Sequence, residues 1–214
     1  MFRAKLVAGE RALDPEAHTH GMIIPITDRW AHAIHEPEKG CLLIATEKLD
    51  GVHIFERTVV LLLSIGSVGP KGLILNRPSL MSIKEMRSAL VGVSGPFSGR
   101  PLFFGGPLED GLFLMGLRGT SAGFFDEVME GLYYGTKESM GCAAEMVKRG
   151  AVGPGDFRFY DGYCAWEMGQ LRDEIRAGYW TVAACSSSVI GLTGEESVGL
   201  WEEIMGLVGP RKVW

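Results

Sequence analysis

The residues best equipped for chemistry fall in three short stretches. Asn76-Arg77-Pro78 closes an apolar run, and a guanidinium there could clamp a carboxylate or phosphate through two parallel N–H bonds. The same pair could instead tie down neighbouring loop carbonyls. Gly105-Gly106-Pro107 follows a second apolar run and could present backbone N–H groups as an anion nest. Its other reading is a reversal that needs positive φ. Trp166, Gln170 and Glu174 step by four, a spacing that gathers side chains on one helix face. That face could close over a ligand or meet Arg77; alternatively Trp166 anchors the core and Gln170 caps a strand edge. The candidate ligand-binding set is therefore Asn76, Arg77, Gly105, Gly106, Trp166 and Gln170.

Other chemistry finds little to stand on. His18, His20, His32 and His35 have feasible metal-ligand spacings but no cysteine or carboxylate pattern beside them. We read them as surface or arm-packing residues and expect no metal and no cofactor. Cys185-Ser186-Ser187-Ser188 could host a nucleophile, which needs an activating base, and the only histidine after residue 35 is His53. The four cysteines lack Cys-x-x-Cys spacing and read as reduced, mostly buried thiols. The phosphate loop, dinucleotide fingerprint, Gly-x-Ser-x-Gly elbow and His-Glu-x-x-His signatures are all missing.

Charge and composition narrow the partners. The chain of 214 residues carries a formal net charge of -5, with no basic stripe, which argues against nucleic acid. The apolar run Val59–Ile65 is too short to span a bilayer, and Met1–Lys5 opens no signal-peptide core. A 46% hydrophobic content beside 30 glycines implies a packed protein whose backbone turns often.

These side chains must be held by a mixture of strands and helices. Residues 1–38 hold four of the five histidines and no sustained period, so they read as an arm, with a short helix around Asp28–Ile34. Residues 39–214 read as a single domain. Strands are expected at Cys41–Ala45, Thr58–Leu63, Leu73–Leu75, Leu102–Phe104, Leu112–Leu117, Leu132–Tyr134 and Trp180–Cys185. Pro78 should end the third of these, and the strand at Leu112 should be a hairpin partner of Leu102–Phe104. Helices are expected at Glu138–Arg149, Glu167–Ala177 and Glu195–Leu207. A further helical face over Ile83, Met86 and Leu90 follows the capping-box spacing of Ser82 and Glu85. Without βαβ alternation, the pattern favours an α+β fold: a mixed, largely antiparallel, curled or barrel-like sheet with flanking helices.

Three ordered motifs also carry a resemblance. Gly72-Leu-Ile-Leu-Asn-Arg-Pro78, Phe104-Gly-Gly-Pro107, and Gly162-Tyr-Cys-Ala-Trp166 continuing through Gln170, Glu174 and Trp180 resemble the AlgH/YqgE-like family. The resemblance runs from about Gly40 to the C-terminus and implies a mixed α/β fold with a barrel-like sheet. The long N-terminal arm, Glu47–Gly51, Tyr133–Glu138 and Glu145–Arg149 look like the plant branch, which implies a protein of the chloroplast stroma without its transit peptide here. Thr46 and Ser64 depart from the bacterial pattern, which tends to have proline and histidine in those regions. The family has no established reaction, and its suggested regulatory role gains no support as direct DNA binding from the charge. The expectation is a non-catalytic binding or regulatory protein with a protein or small anionic partner. The alternative is a hydrolase or transferase holding an anionic substrate on Arg77.

Overall fold

The apolar runs pair into one open sheet. The computed structural model describes residues 29–86, 95–117, 123–191 and 199–209. Its strands are β1 (Ala31–Ala33), β2 (Leu42–Ala45), β3 (Val59–Gly66), β4 (Gly69–Ile74), β5 (Pro78–Ser82) and β6 (Pro101–Phe104). They continue with β7 (Leu108–Leu117), β8 (Asp126–Met129), β9 (Leu132–Thr136), β10 (Phe157–Ala165) and β11 (Trp180–Cys185). The helices are α1 (Met140–Lys148), α2 (Gln170–Arg176), α3 (Ser187–Ile190) and α4 (Leu200–Val208). The main path runs β1-β11-β2-β3-β4-β10-β7-β9-β8, with β6 beside β10 and β5 beside β6. Every pairing is antiparallel except β6 with β10. The two ends of the path do not pair among the described residues, so the curled sheet is not a closed barrel.

β10 is the hinge of the architecture. Its first half lies between β6 and β7, with Phe159 opposite both Leu102 and Leu114. A bulge at Gly162, whose φ is +73°, then redirects the strand so that Cys164 meets Gly72 on β4. The two halves of the sheet wrap one core containing Leu61, Leu73, Phe103, Met115, Leu132, Tyr160 and Ile204. On the outer face of one half, Trp166, Leu171, Trp180 and Val182 form a second core under α2. On the outer face of the other, Phe97, Phe157, Phe159 and Ala143 form a third under α1.

Several local expectations change. Asp28 lies outside the described residues, and the segment after it is strand rather than helix. Ala31 is buried opposite Cys185 while His32 is exposed, because the free edge of β11 supplies ladder hydrogen bonds that a short helix would have to make alone. Pro78 does not merely end a strand: it begins β5, a position where a missing N–H costs no ladder bond. Gly69 to Lys71 belong to β4, leaving a tight Ser67–Val68 loop between β3 and β4. The capping box at Ser82 forms, with the Glu85 carboxylate accepting from both the backbone N and Oγ of Ser82 at 2.7 Å. It opens only a 3-10 turn at Ile83–Glu85; Leu90 lies outside the described residues. Residues 195–198 of the last expected helix are likewise outside, and α4 begins at Leu200.

The expected hairpin between β6 and β7 is also corrected. The two strands sit on opposite sides of β10, so their connection must cross over it. Gly105-Gly106 makes that crossing. A β-carbon on Gly105 would lie 2.3 Å from the Gly162 carbonyl oxygen, and one on Gly106 would lie 2.2 Å from the Tyr163 carbonyl carbon. Both values are far below van der Waals contact, so only glycine lets the two backbones touch.

Candidate functional site

Asn76 and Arg77 lie behind the loop that follows Phe55. Asn76 is buried; its Oδ1 accepts from Val59 N at 3.0 Å and its Nδ2 donates to Arg57 O at 2.9 Å. The Arg77 guanidinium donates to Glu56 O. The pair therefore fastens residues 56–59, and through them sets the position of Phe55. Asn76 also holds Arg57 in a left-handed conformation, φ +49°, the only such non-glycine among the described residues.

Gly105 and Gly106 are buried at the crossing over β10. Gly105 N donates to Asp161 O at 2.7 Å and Gly105 O accepts from Ile74 N at 2.8 Å. Those groups are spent on the sheet, and the next residue, Pro107, reaches the surface at the rim of a cleft.

That cleft, of about 300 Å³, is where Trp166 and Gln170 come together. Trp166 follows the end of β10, and Gln170 is the first residue of α2; left-handed Gly169, φ +89°, lies between them. The shared face is thus made by a strand end and a helix, not by one continuous helix. Gln170 Oε1 accepts from Glu167 N at 2.9 Å, which closes the start of the helix. At its far end Thr46 Oγ1 and Lys48 Nζ donate to the carbonyls of Gly178 and Ala177 at 2.6 and 2.5 Å.

Glu174 is the hub. Its Oε2 accepts from Trp166 Nε1 at 3.0 Å and from Trp180 Nε1 at 2.8 Å, while its Oε1 accepts from Gln170 Nε2 at 2.8 Å. The indoles stand edge to face, with centroids 6.3 Å apart, and Phe55 meets Trp180 the same way at 5.8 Å. Leu49, Leu108 and Tyr179 complete much of the remaining wall. A shallower hollow adjoins it across Gln170, Glu174 and Tyr179, lined also by Glu167, Met168 and Asp173. Among the described residues, neither concavity is lined by a lysine or arginine, and Arg77 lines neither.

The sequence put Glu174 on the right face through its spacing from Gln170. Trp180 closes the third family motif, but no spacing placed it on this face, and nothing pointed to Phe55, Tyr179 or Leu108. Trp180 opens β11, Tyr179 immediately precedes it, Phe55 lies in the loop before β3 and Leu108 begins β7.

Other candidates lie elsewhere. His32 is exposed on β1 and stacks on Trp30 with centroids 5.2 Å apart. His35 and His53 are exposed, and His18 and His20 lie outside the described residues. Burial pushes the Cys41 thiol up to about 11 and the Cys164 and Cys185 thiols up to about 12. Cys185 is thus held as an inert thiol. No helix among the described residues is long and apolar enough to cross a membrane.

Comparison with known proteins agrees with the motif resemblance. The family model described as AlgH-like matches residues 42–212. A UPF0301 protein of Chlorobaculum parvum is 33% identical over 153 residues, covering 71% of this chain and 77% of that protein. The solution structure of the AlgH protein from Pseudomonas aeruginosa superposes with a TM-score of 0.61 at 20% identity, covering 83% of this chain and 94% of that one. A crystal structure of a Corynebacterium diphtheriae protein gives a TM-score of 0.61 at 24% identity, covering 80% and 87%. These likenesses place the fold.

Proposed function

The chain belongs to the AlgH-like family, which has no established biochemical function, and from that premise we propose that it is a non-catalytic binding protein whose recognition site is the cleft beside α2. One observation carries this reading: Trp166, Trp180 and Gln170 converge on Glu174 in the wall of a preformed, aromatic-rich concavity. Few polar groups aimed into an apolar hollow is the usual makeup of a ligand site.

The chemistry of the cleft favours binding over turnover. Three of the roughly four acceptor positions of Glu174 are occupied by indole and amide N–H groups. Such donors do not relay protons, so the carboxylate is fixed in shape rather than free to shuttle a proton. Arg77, the anion clamp of the hydrolase or transferase alternative, is engaged with Glu56 O. The carboxylates around α2 also disfavour the small anion that Arg77 suggested.

The stretches Glu47–Gly51, Tyr133–Glu138 and Glu145–Arg149 support placing the chain in the plant branch and hence in the chloroplast stroma, and a regulatory role there follows from recognition without a nucleophile, base or metal set. Organelle fractionation with an antibody against the chain tests that placement.

The binding reading is tested by following the indole N–H resonances of Trp166 and Trp180 during a screen of mixed fragments and short peptides. Shifts confined to the cleft, abolished when exposed Ala165→Phe fills it, are expected. A folded protein whose indole resonances move with no probe would end the proposal.

A further inference from the structure

Glu174 is a half-buried carboxylate whose hydrogen bonds among the described residues all come from neutral donors. Indole and amide N–H groups satisfy lone pairs, yet they bring no positive charge to cancel that of the carboxylate. The ion pairs formed by the described residues engage Arg29, Arg57, Arg149, Arg172 and Arg176, and none includes Glu174. The nearby Asp173 is paired with Arg176 at 3.3 Å, and Lys48 is turned to the carbonyl of Ala177. A site shaped this way is complementary to an incoming cation.

Geometry narrows that cation. One acceptor position of Glu174 is left over after its three hydrogen bonds, on Oε1. The rings of Phe55, Trp166, Tyr179 and Trp180 line the same cleft. A planar guanidinium can donate an N–H to a carboxylate while its face lies against an aromatic ring, which an ammonium does less well. A volume of about 300 Å³ is at the small end for a ligand site and suits one long side chain. Beyond it the rim is apolar and open: Met168 is 65% exposed, Leu108 42% and Tyr179 40%. A small guanidine would leave that rim in water, whereas residues flanking an arginine in a peptide chain would cover it.

Building on the binding reading above, we infer that the cleft takes an arginine side chain presented by a protein partner, with apolar neighbours seated on Met168, Leu108 and Tyr179. The partner is thus a segment of the form apolar-arginine-apolar. The expected anchor is a guanidinium N–H to Glu174, in a pocket whose walls exclude water from that bond.

The test compares acetyl-Leu-Arg-Leu-amide with the same peptide carrying citrulline, which is neutral and nearly isosteric, and with one carrying glutamate. Binding is read from the Trp166 and Trp180 indole resonances and by calorimetry. The arginine peptide is expected to bind at least about tenfold tighter than the citrulline peptide, with no binding of the glutamate peptide. Agmatine, a free guanidine, is expected to bind about tenfold more weakly than the arginine peptide, since it leaves the rim bare. Glu174→Gln should erase the preference for arginine over citrulline; should that variant fail to fold, the wild-type comparison decides alone. Equal binding of arginine and citrulline, or tighter binding of glutamate, overturns the cation while leaving the binding cleft intact. Agmatine binding as tightly as the peptide overturns the protein partner. If no peptide moves the indoles but other fragments do, the arginine inference falls and the binding reading stands. If nothing moves them, both fall.

Discussion

Trp166 and Trp180 donate their indole protons to the same oxygen of Glu174, at 3.0 and 2.8 Å, although one follows β10 and the other opens β11. The shared acceptor ties the two strands and α2 into one unit, and both rings are almost wholly buried. Removing it strands two buried donors. Glu174→Ala is expected to cost about 3 kcal/mol in urea unfolding, because an unmade buried hydrogen bond costs more than a made one contributes. Glu174→Gln keeps a carbonyl oxygen and should lose markedly less. A loss below about 1 kcal/mol for the alanine variant would show that the indoles find other partners.

Asn76 and Arg77 act on the loop that carries Phe55. Asn76→Ala orphans Val59 N and Arg57 O, and a loss of about 2–3 kcal/mol is expected. Arg57→Gly in that background should recover part of it, since glycine relieves the positive φ at little expense to an exposed ion pair with Glu202. Arg77→Ala should lower stability and leave affinity for an anionic probe unchanged. A probe lost on that substitution would restore the anion clamp.

The glycine pair at the crossing tolerates nothing larger. Gly106→Ala drives a β-carbon into the Tyr163 backbone, so a loss above about 3 kcal/mol or failure to fold is expected. Gly141→Ala on α1, where nothing lies within 4 Å of the new carbon, should hold or raise stability by up to about 1 kcal/mol. Thermal melts of the two variants check the contrast.

The buried thiols predict an alkaline loss of stability. Folding raises Cys41 to about 11 and Cys164 and Cys185 to about 12 from an ordinary 9.0, chiefly by burial. Above pH 9 the unfolded chain gives up protons that the folded chain retains, so the unfolded state is favoured. Each thiol's share of stability is complete below about pH 9 and declines from there to pH 11–12, by at most about 1.4 kcal/mol per unit. Denaturation midpoints across pH 8–11 should fall, and less steeply for Cys164→Ala. At pH 8 a thiol reagent should titrate half-buried Cys142 first and the other three only on unfolding.

Asp161 offers a charge test. Burial, aided by the neighbouring Glu109, holds its carboxyl above the ordinary 3.8. A raised acid is best tolerated protonated, and its stabilising share is lost as pH rises through its folded value. Asp161→Asn is therefore expected to match or exceed the wild-type melting temperature at pH 7, with the gap closing in acid. A lower melting temperature at pH 7 would contradict it.

The dense apolar runs at β2, β3 and β11, and the amphipathic spacing of α2 ended by Gly178, could be read from residue order alone. A helix or a buried strand declares itself by its own period. The family motifs were legible too, and so was the placement of Glu174 near Gln170. Edge strands β1, β5 and β8 were not, because three to five residues carry little period and become strands only when a neighbour offers its ladder. Nothing in Phe104-Gly-Gly-Pro107 said that a third strand would pass beneath it. Residue order alone settles the longer apolar strands, the α+β class and the family motifs. The tertiary structure alone decided that Asn76 and Arg77 brace a loop while Trp166, Gln170 and Trp180 meet on Glu174. The reason is physical: local propensity acts over a few residues, whereas a cleft is made where β10 bends and brings distant side chains within hydrogen-bond reach.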